Sequence, residues 1–184
     1  MKPAAGKILI SDPFLRDPNF ARTIVFLTEH TENGSFGFVL NNAVDITLKE
    51  VFEDDALPTT SLFQGGPVEL NTLHFLHAMG NIIENSKEVI PGVWWGGDFN
   101  KALEILKKSP DLISHFVFFV GYSGWGAGQL DGELQEEAWV VSDIGSAMVF
   151  NTQFDAQELW KKAMKNLGGK YNYLAESPID PQLN

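Results

Sequence analysis

The sequence predicts an α+β fold: a mixed, largely antiparallel sheet, able to curl toward a barrel, with a few short helices packed against it. Three observations carry this. Apolar runs of strand length, such as residues 23–28 (TIVFLT) and 115–120 (HFVFFV), outnumber helical patterns. The two kinds follow one another irregularly rather than in a repeating strand–helix order. Asn33-Gly34, between two strand-like runs, is a strong hairpin signal because both residues accept positive φ. With 184 residues, of which 44% are hydrophobic and 20% charged, the chain is expected to form a single domain with its own core.

Taken in order, residues 7–11 (KILIS) read as a first strand, closed by Asp12-Pro13. Residues 23–28 read as a strand covered on both faces, and 35–40 (SFGFVL) as its hairpin partner. Thr47-Leu48-Lys49-Glu50 is a capping-box pattern that places Leu48, Val51 and Phe52 on one helical face. Residues 61–64 and 72–78 read as strands separated by Gly65-Gly66-Pro67, and 89–95 as another interrupted at Pro91-Gly92. Asp98 is placed to cap a helix carrying Phe99, Ala102, Leu103 and Leu106. A glycine-rich loop, 121–128, is expected after the strand at 115–120, then an acidic helical turn, then weak strands at 139–142 and 147–150. The last helix has Asp155 as its cap and a stripe of Ala156, Leu159, Trp160, Ala163, Met164 and Leu167, and it stops at Gly168-Gly169. From about residue 171, with Pro178 and Pro181, an extended tail is expected.

Composition excludes several classes. There are no cysteines, so disulfides, thiolate nucleophiles and cysteine-bound zinc are out. Thirteen basic against twenty-four acidic residues give a net charge of −11, a poor balance for holding a phosphate backbone. The first ten residues contain only a three-residue apolar run, Ile8 to Ile10, against the about 7–15 of a signal peptide. No membrane association and a cytoplasmic location are expected.

Four glycine-bearing segments could carry chemistry: 34–41, 65–68, 95–98 and 121–130. Glycine there serves sharp turns and close packing; it also lets a ligand approach backbone N–H groups. On the second reading the loops converge on one site. Its aromatic surface would come from Trp94, Trp95, Tyr122 and Trp125, and its orienting amides from Asn41 and Gln129. Gly65, Gly66, Gly97 and Asp98 belong to the same candidate set, although the helix cap alone accounts for Asp98. Arg22 joins it as one of only two arginines; it is expected to pair with Asp12 or Asp17, or to hold an anionic ligand.

Nucleotide and hydrolase motifs fail. Gly124, Gly126 and Gly128 leave Gln129 where a dinucleotide fingerprint needs glycine, and Gly168-Gly169-Lys170 is followed by Tyr171. Ser123 is not in a nucleophile elbow, because Trp125 stands where glycine is required. An enzyme acting on a small molecule would draw on Ser123, His30, His77 and Asp98, but no spacing assembles them. His74 and His77 have metal-ligand spacing only on a helix; on the expected strand they point to opposite faces. No metal and no cofactor are expected. Asp131, Glu133, Glu136 and Glu137 read as a solvated acidic face.

Together these segments resemble the YqgE/AlgH family of bacterial proteins. The resemblance runs from Gly6 to about Trp160 through ILISDPFLRDPNFARTIVFLTEH, GSFGFVLN, FQGGPV, Leu76-His77, VWWGGDF and GYSGWGAGQLDGEL followed by Trp139. The chain departs from it at Asn42-Ala43, where the family commonly has Arg-Pro, at Asp131, where it commonly has Glu, and in the tail from Ser177. The resemblance implies a bacterial, cytoplasmic α+β domain and no particular activity. One branch of the family carries a name tied to transcriptional control of alginate production. The acidic charge and the lack of a basic recognition helix disfavour direct nucleic-acid binding. The expected role is a non-enzymatic binding or regulatory domain for a small molecule or a protein partner. The alternatives are an indirect regulator or a small-molecule enzyme.

Overall fold

The computed structural model describes residues 1–151 and 155–177. Its elements follow the apolar runs. Strand β1 (Lys7–Ser11) leads through the two Asp-Pro turns to β2 (Ile24–Thr31), which returns as β3 (Gly34–Val39). The hairpin closes on Glu32 and Asn33, with Thr31 opposite Gly34. Gly34 is thus the first residue of the returning strand rather than part of the turn. A Cβ at Gly34 would lie 2.2 Å from the Trp125 carbonyl oxygen, so glycine is needed there for close strand approach. Next come β4 (Ala43–Thr47) and α1 (Leu48–Phe52), joined by the expected capping box. Leu48 is buried on that helix, whereas Val51 is exposed. Then follow β5 (Ser61–Gln64) and β6 (Val68–His77). The interrupted run is a hairpin, β7 (Lys87–Ile90) and β8 (Val93–Trp95), turning at Pro91-Gly92.

Asp98 caps α2 (Phe99–Lys108) by accepting the Lys101 N–H at 3.1 Å, and a 3-10 turn (Pro110–His115) leads into β9 (Phe116–Gly126). Most of the expected glycine-rich loop is therefore the second half of β9. The chain continues with α3 (Gln129–Gln135) and β10 (Trp139–Asp143). It then forms α4 (Ser146–Val149) where a weak strand was expected, a run too short for periodicity to discriminate. The cap-and-stripe helix is α5 (Ala156–Leu167); its first stripe residue, Ala156, is exposed, and Gly168 ends it at φ +71°. The tail opens not as extended chain but as α6 (Tyr171–Leu174), with Ala175 buried. Pro178 and Pro181 lie outside the described residues. No described helix is long and apolar enough to cross a membrane.

Strand β9 organises the sheet. Its first half pairs antiparallel with β6 and parallel with β5; its second half pairs antiparallel with β3. The full order is β10-β1-β2-β3-β9-β6-β8-β7, with β5 beside β9 and β4 beyond β5. At Gly121, φ +64°, the alternation of β9 changes phase. Before it, Val117 and Phe119 face the inner core; after it, Tyr122 does, and Trp125 faces out. An extra residue at that point flips every following side chain, as a bulge does.

The curled sheet therefore has one inner core and two outer ones. Ile8, Ile10, Ile24, Phe26, Phe38, Val117 and Phe119 line the inside, and α5 seals it with Leu159, Trp160, Ala163 and Met164. Trp160 is fully buried, and its indole N–H reaches the Ser11 carbonyl at 3.0 Å. Helix α2 covers one outer face through Ala102, Leu103 and Leu106, and α3 covers the other through Leu130. The half-barrel bends far enough for Lys87 on β7 to pair with Glu29 on β2 at 3.5 Å.

Candidate functional site

Arg22 stands at the turn into β2 with φ +53°, a left-handed conformation that costs a non-glycine residue about 1–3 kcal/mol. Asn41, just past β3, holds that turn. Its Nδ2 donates to the carbonyls of Arg22 (2.9 Å) and Ala156 (2.8 Å), and its Oδ1 accepts the Ile24 N–H (2.9 Å). One amide thus ties the turn to β2 and to the start of α5. The left-handed backbone turns the Arg22 side chain toward α5, where the guanidinium lies 4.8 Å from the Trp160 ring centroid and donates to the Ser177 carbonyl.

The expected pairing of Arg22 with Asp12 or Asp17 does not form. Those carboxylates instead accept backbone N–H groups of their own turns, Phe14 and Asn19, each at 2.9 Å. No carboxylate among the described residues pairs with Arg22. The residue is buried, at 8% exposure, and its Nε–H has no acceptor among the described residues. Burial pushes its pKa below the usual arginine value, but a guanidinium stays charged in any folded protein.

Arg22 lines a hollow of about 250 Å³. Asn41, Asn42, Asn19, Gln157 and Thr23 supply polar groups around it, and Pro13, Leu15 and Pro18 supply apolar walls. Arg22 is the only ionisable side chain among the described residues that line it.

A second hollow, of about 410 Å³, contains His30, Gly34, Gly126 and Gly128. His30 Nδ1 lies 2.8 Å from Ser35 Oγ, a residue the sequence reading did not single out. Counting back from the two-residue turn would have found it, since His30 and Ser35 are direct cross-strand partners. That register also accounts for the contact, and among the described residues no carboxylate bonds the other ring nitrogen. A nucleophile–base–acid array is not assembled there.

The remaining candidates are structural in their contacts. Gly65 and Gly66 pack against β9: a Cβ on Gly66 would lie 2.3 Å from the Tyr122 carbonyl. Ser123 is fully buried and donates to the Gly65 carbonyl at 2.8 Å, and no histidine among the described residues hydrogen-bonds its hydroxyl. Tyr122 stacks on Phe36, with centroids 4.4 Å apart, in a cluster with His74 and Trp95 at one edge of the inner core. Trp125 is buried, and its indole N–H donates to Glu133 at 2.8 Å. Gln129 accepts the Gly126 N–H and donates to Glu133, each at 3.0 Å. Gly97 packs on Ile83, Glu84 and Ser86, and Asp98 caps α2. Segments 34–41, 65–68 and 121–130 meet as closely packed strands, and Trp95 joins them by stacking on Phe36, while Gly97 and Asp98 pack elsewhere. Segments 34–41 and 121–130 share the His30 hollow, and neither of the two hollows above is lined by all four segments.

Two other expectations change in detail. Glu133 is not part of a solvated face: its Oε2 accepts both the Trp125 and Trp139 indole N–H groups, at 2.8 and 2.7 Å. His74 and His77 point to opposite faces of β6, as strand geometry requires. His74 contacts Phe36 and Phe38 on the inner side, and His77 stacks on Phe75 and Phe116 on the outer side. Among the described residues no group of three or more His, Asp or Glu could hold a metal ion.

Comparisons with known proteins agree with this architecture. A family model described as AlgH-like, DUF179, matches residues 8–172. A UPF0301 protein of Chlorobium luteolum is 39% identical, the alignment covering 98% of this chain and 95% of the relative. A UPF0301 protein of Cytophaga hutchinsonii is 38% identical, covering 97% and 98%. The solution structure of the AlgH protein from Pseudomonas aeruginosa superposes with a TM-score of 0.73 at 29% identity, covering 97% of this chain and 98% of that one. A crystal structure of a protein from Corynebacterium diphtheriae gives 0.80 at 20% identity, covering 96% and 94%, a likeness of fold.

Proposed function

The chain belongs to the AlgH-like family, also called UPF0301, and on that premise we propose that it is a binding domain rather than a catalyst, holding a small molecule in the hollow at Arg22. One observation carries the reading. The described lining of that hollow has a single ionisable side chain, and it is a guanidinium, which neither accepts nor releases a proton near neutral pH. Thr23, the nearest hydroxyl on the sequence, is spent on the Phe20 carbonyl at 3.1 Å. What remains are amides and apolar walls, groups that orient and enclose a ligand but do not activate it.

The net charge of −11 supports a partner other than a nucleic-acid duplex, whose binding depends on cations neutralising phosphates. Regulation by such a domain would pass through the bound molecule or through a protein partner.

A panel of small metabolites tested by thermal shift on the wild type and on Asn42→Trp, which fills the hollow, checks the reading. A ligand at about a hundred times its Kd adds about 2.7 kcal/mol, a rise of several degrees for a chain of this size. We expect at least one compound to stabilise the wild type and not the filled variant. Compounds that stabilise both equally would place binding elsewhere.

A further inference from the structure

We propose that the hollow at Arg22 is an oxyanion site, taking its ligand through a carboxylate or phosphate group held against the Arg22 guanidinium. This rests on the binding reading above and names the chemistry of the ligand.

Arg22 lacks three things that a buried arginine ordinarily has. Its positive charge has no carboxylate among the described residues. Its Nε–H is buried without an acceptor, the only such side-chain atom among the described residues. Its backbone is not relaxed, because φ is +53°. A buried unpaired charge and an orphaned donor are both costly, and native proteins keep few of them. The Ser177 carbonyl satisfies one of five guanidinium donors, and the Trp160 ring offsets part of the charge.

The surrounding structure maintains this arrangement rather than relieving it. Asn41 commits three hydrogen bonds to fixing the Arg22 turn against β2 and α5. An oxyanion supplies what is missing: a counter-charge, and two oxygens that match the planar fork of the guanidinium.

The rest of the lining narrows the ligand. Asn19, Asn42 and Gln157 can donate or accept, so they suit the neutral polar part of a small molecule, and Leu15 and the two prolines suit a few carbons. A volume of about 250 Å³ lies below the roughly 300–1,000 Å³ of drug-sized sites, which favours a compact acid or phosphate ester over a dinucleotide. The acidic surface repels anions at long range, so recognition has to be local, at this one cation.

The test uses the full chain with inorganic phosphate, acetate and neutral acetamide as probes, followed by calorimetric titration and thermal shift. Arg22→Gln removes the charge at similar length; Arg22→Lys keeps the charge and loses the fork. We expect phosphate or acetate to bind the wild type and acetamide not to, with affinity down about tenfold or more in Arg22→Gln and less in Arg22→Lys. The stronger of the two anions identifies the ligand class. Circular dichroism checks that each variant folds. If Arg22→Gln does not, Arg22→Lys and Asn42→Trp carry the comparison. Equal binding of the anions to wild type and folded Arg22 variants, or no anion binding at all, overturns the proposal. Should acetamide or another neutral compound be blocked by Asn42→Trp yet ignore the Arg22 variants, the oxyanion assignment falls and the hollow remains a binding site. If no compound distinguishes wild type from Asn42→Trp, both fall.

Discussion

His77 is sealed from solvent, and its two nitrogens have opposite tasks. Nε2 donates to the Gly96 carbonyl at 3.0 Å, and Nδ1 accepts the Met79 N–H at 3.1 Å. Only the neutral ring with its proton on Nε2 satisfies both. Burial lowers its pKa, with the Gly96 bond opposing, and burial lowers that of His74 as well. The folded state then binds fewer protons than the unfolded state, whose histidines titrate near about 6.5. Stability is full above that value and is lost as pH falls from it toward the folded pKa values. Urea midpoints measured from pH 7.5 to 5.0 should fall in the wild type and fall less steeply in His77→Gln, whose amide can still donate and accept. Identical slopes would mean that His77 is not held neutral. Arg22 belongs to the same scale. Its identity as a rare arginine was legible in the sequence. Its left-handed backbone, which decides what it faces, was not, because nothing in the neighbouring residue types demands positive φ there.

Helix α3 shows how an element is held by one residue. Glu133 collects two indole N–H groups and the Gln129 amide, joining β9, β10 and its own helix. Glu133→Ala leaves two indole donors without their acceptor, a loss of about 2–4 kcal/mol. Glu133→Gln keeps one acceptor oxygen and should cost distinctly less. Chemical denaturation of both variants reads the difference, and equal costs would show that the carboxylate merely fills space. Elements with a cap and a stripe, α1, α2 and α5, were visible in the sequence because their signals are local. The second half of β9 was not. Glycine disfavours strands, so 121–128 read as a loop; Gly121 is there because the Gly66 and Val68 carbonyl oxygens come too close for a Cβ, and the close approach of β3 to β9 is met by Gly34 against the Trp125 carbonyl. That demand comes from strands far away in sequence. Likewise Ser35 acquires His30 as a partner only through hairpin register.

Across the whole molecule, the sheet curls around one core, α5 closes it, and the seam where the chain enters β2, leaves β3 and begins α5 forms the Arg22 hollow. The α+β architecture followed from the sequence because it depends on the number and order of apolar runs. The convergence of distant loops did not, since a shared site depends on three-dimensional closure. The structure distributes the expected site residues among the Arg22 hollow, the His30 hollow and packed junctions. We propose that Arg22 is a cation, unmatched among the described residues, that is kept for a ligand. Only two arginines occur, Arg22 and the exposed Arg16, so an arginine Nε–H correlation spectrum contains two side-chain signals. Arg22→Lys assigns them. On titration with phosphate or acetate, the Arg22 signal should shift and saturate while Arg16 stays nearly still. An Arg22 signal that never moves, or two signals that drift together without saturation, would contradict the claim.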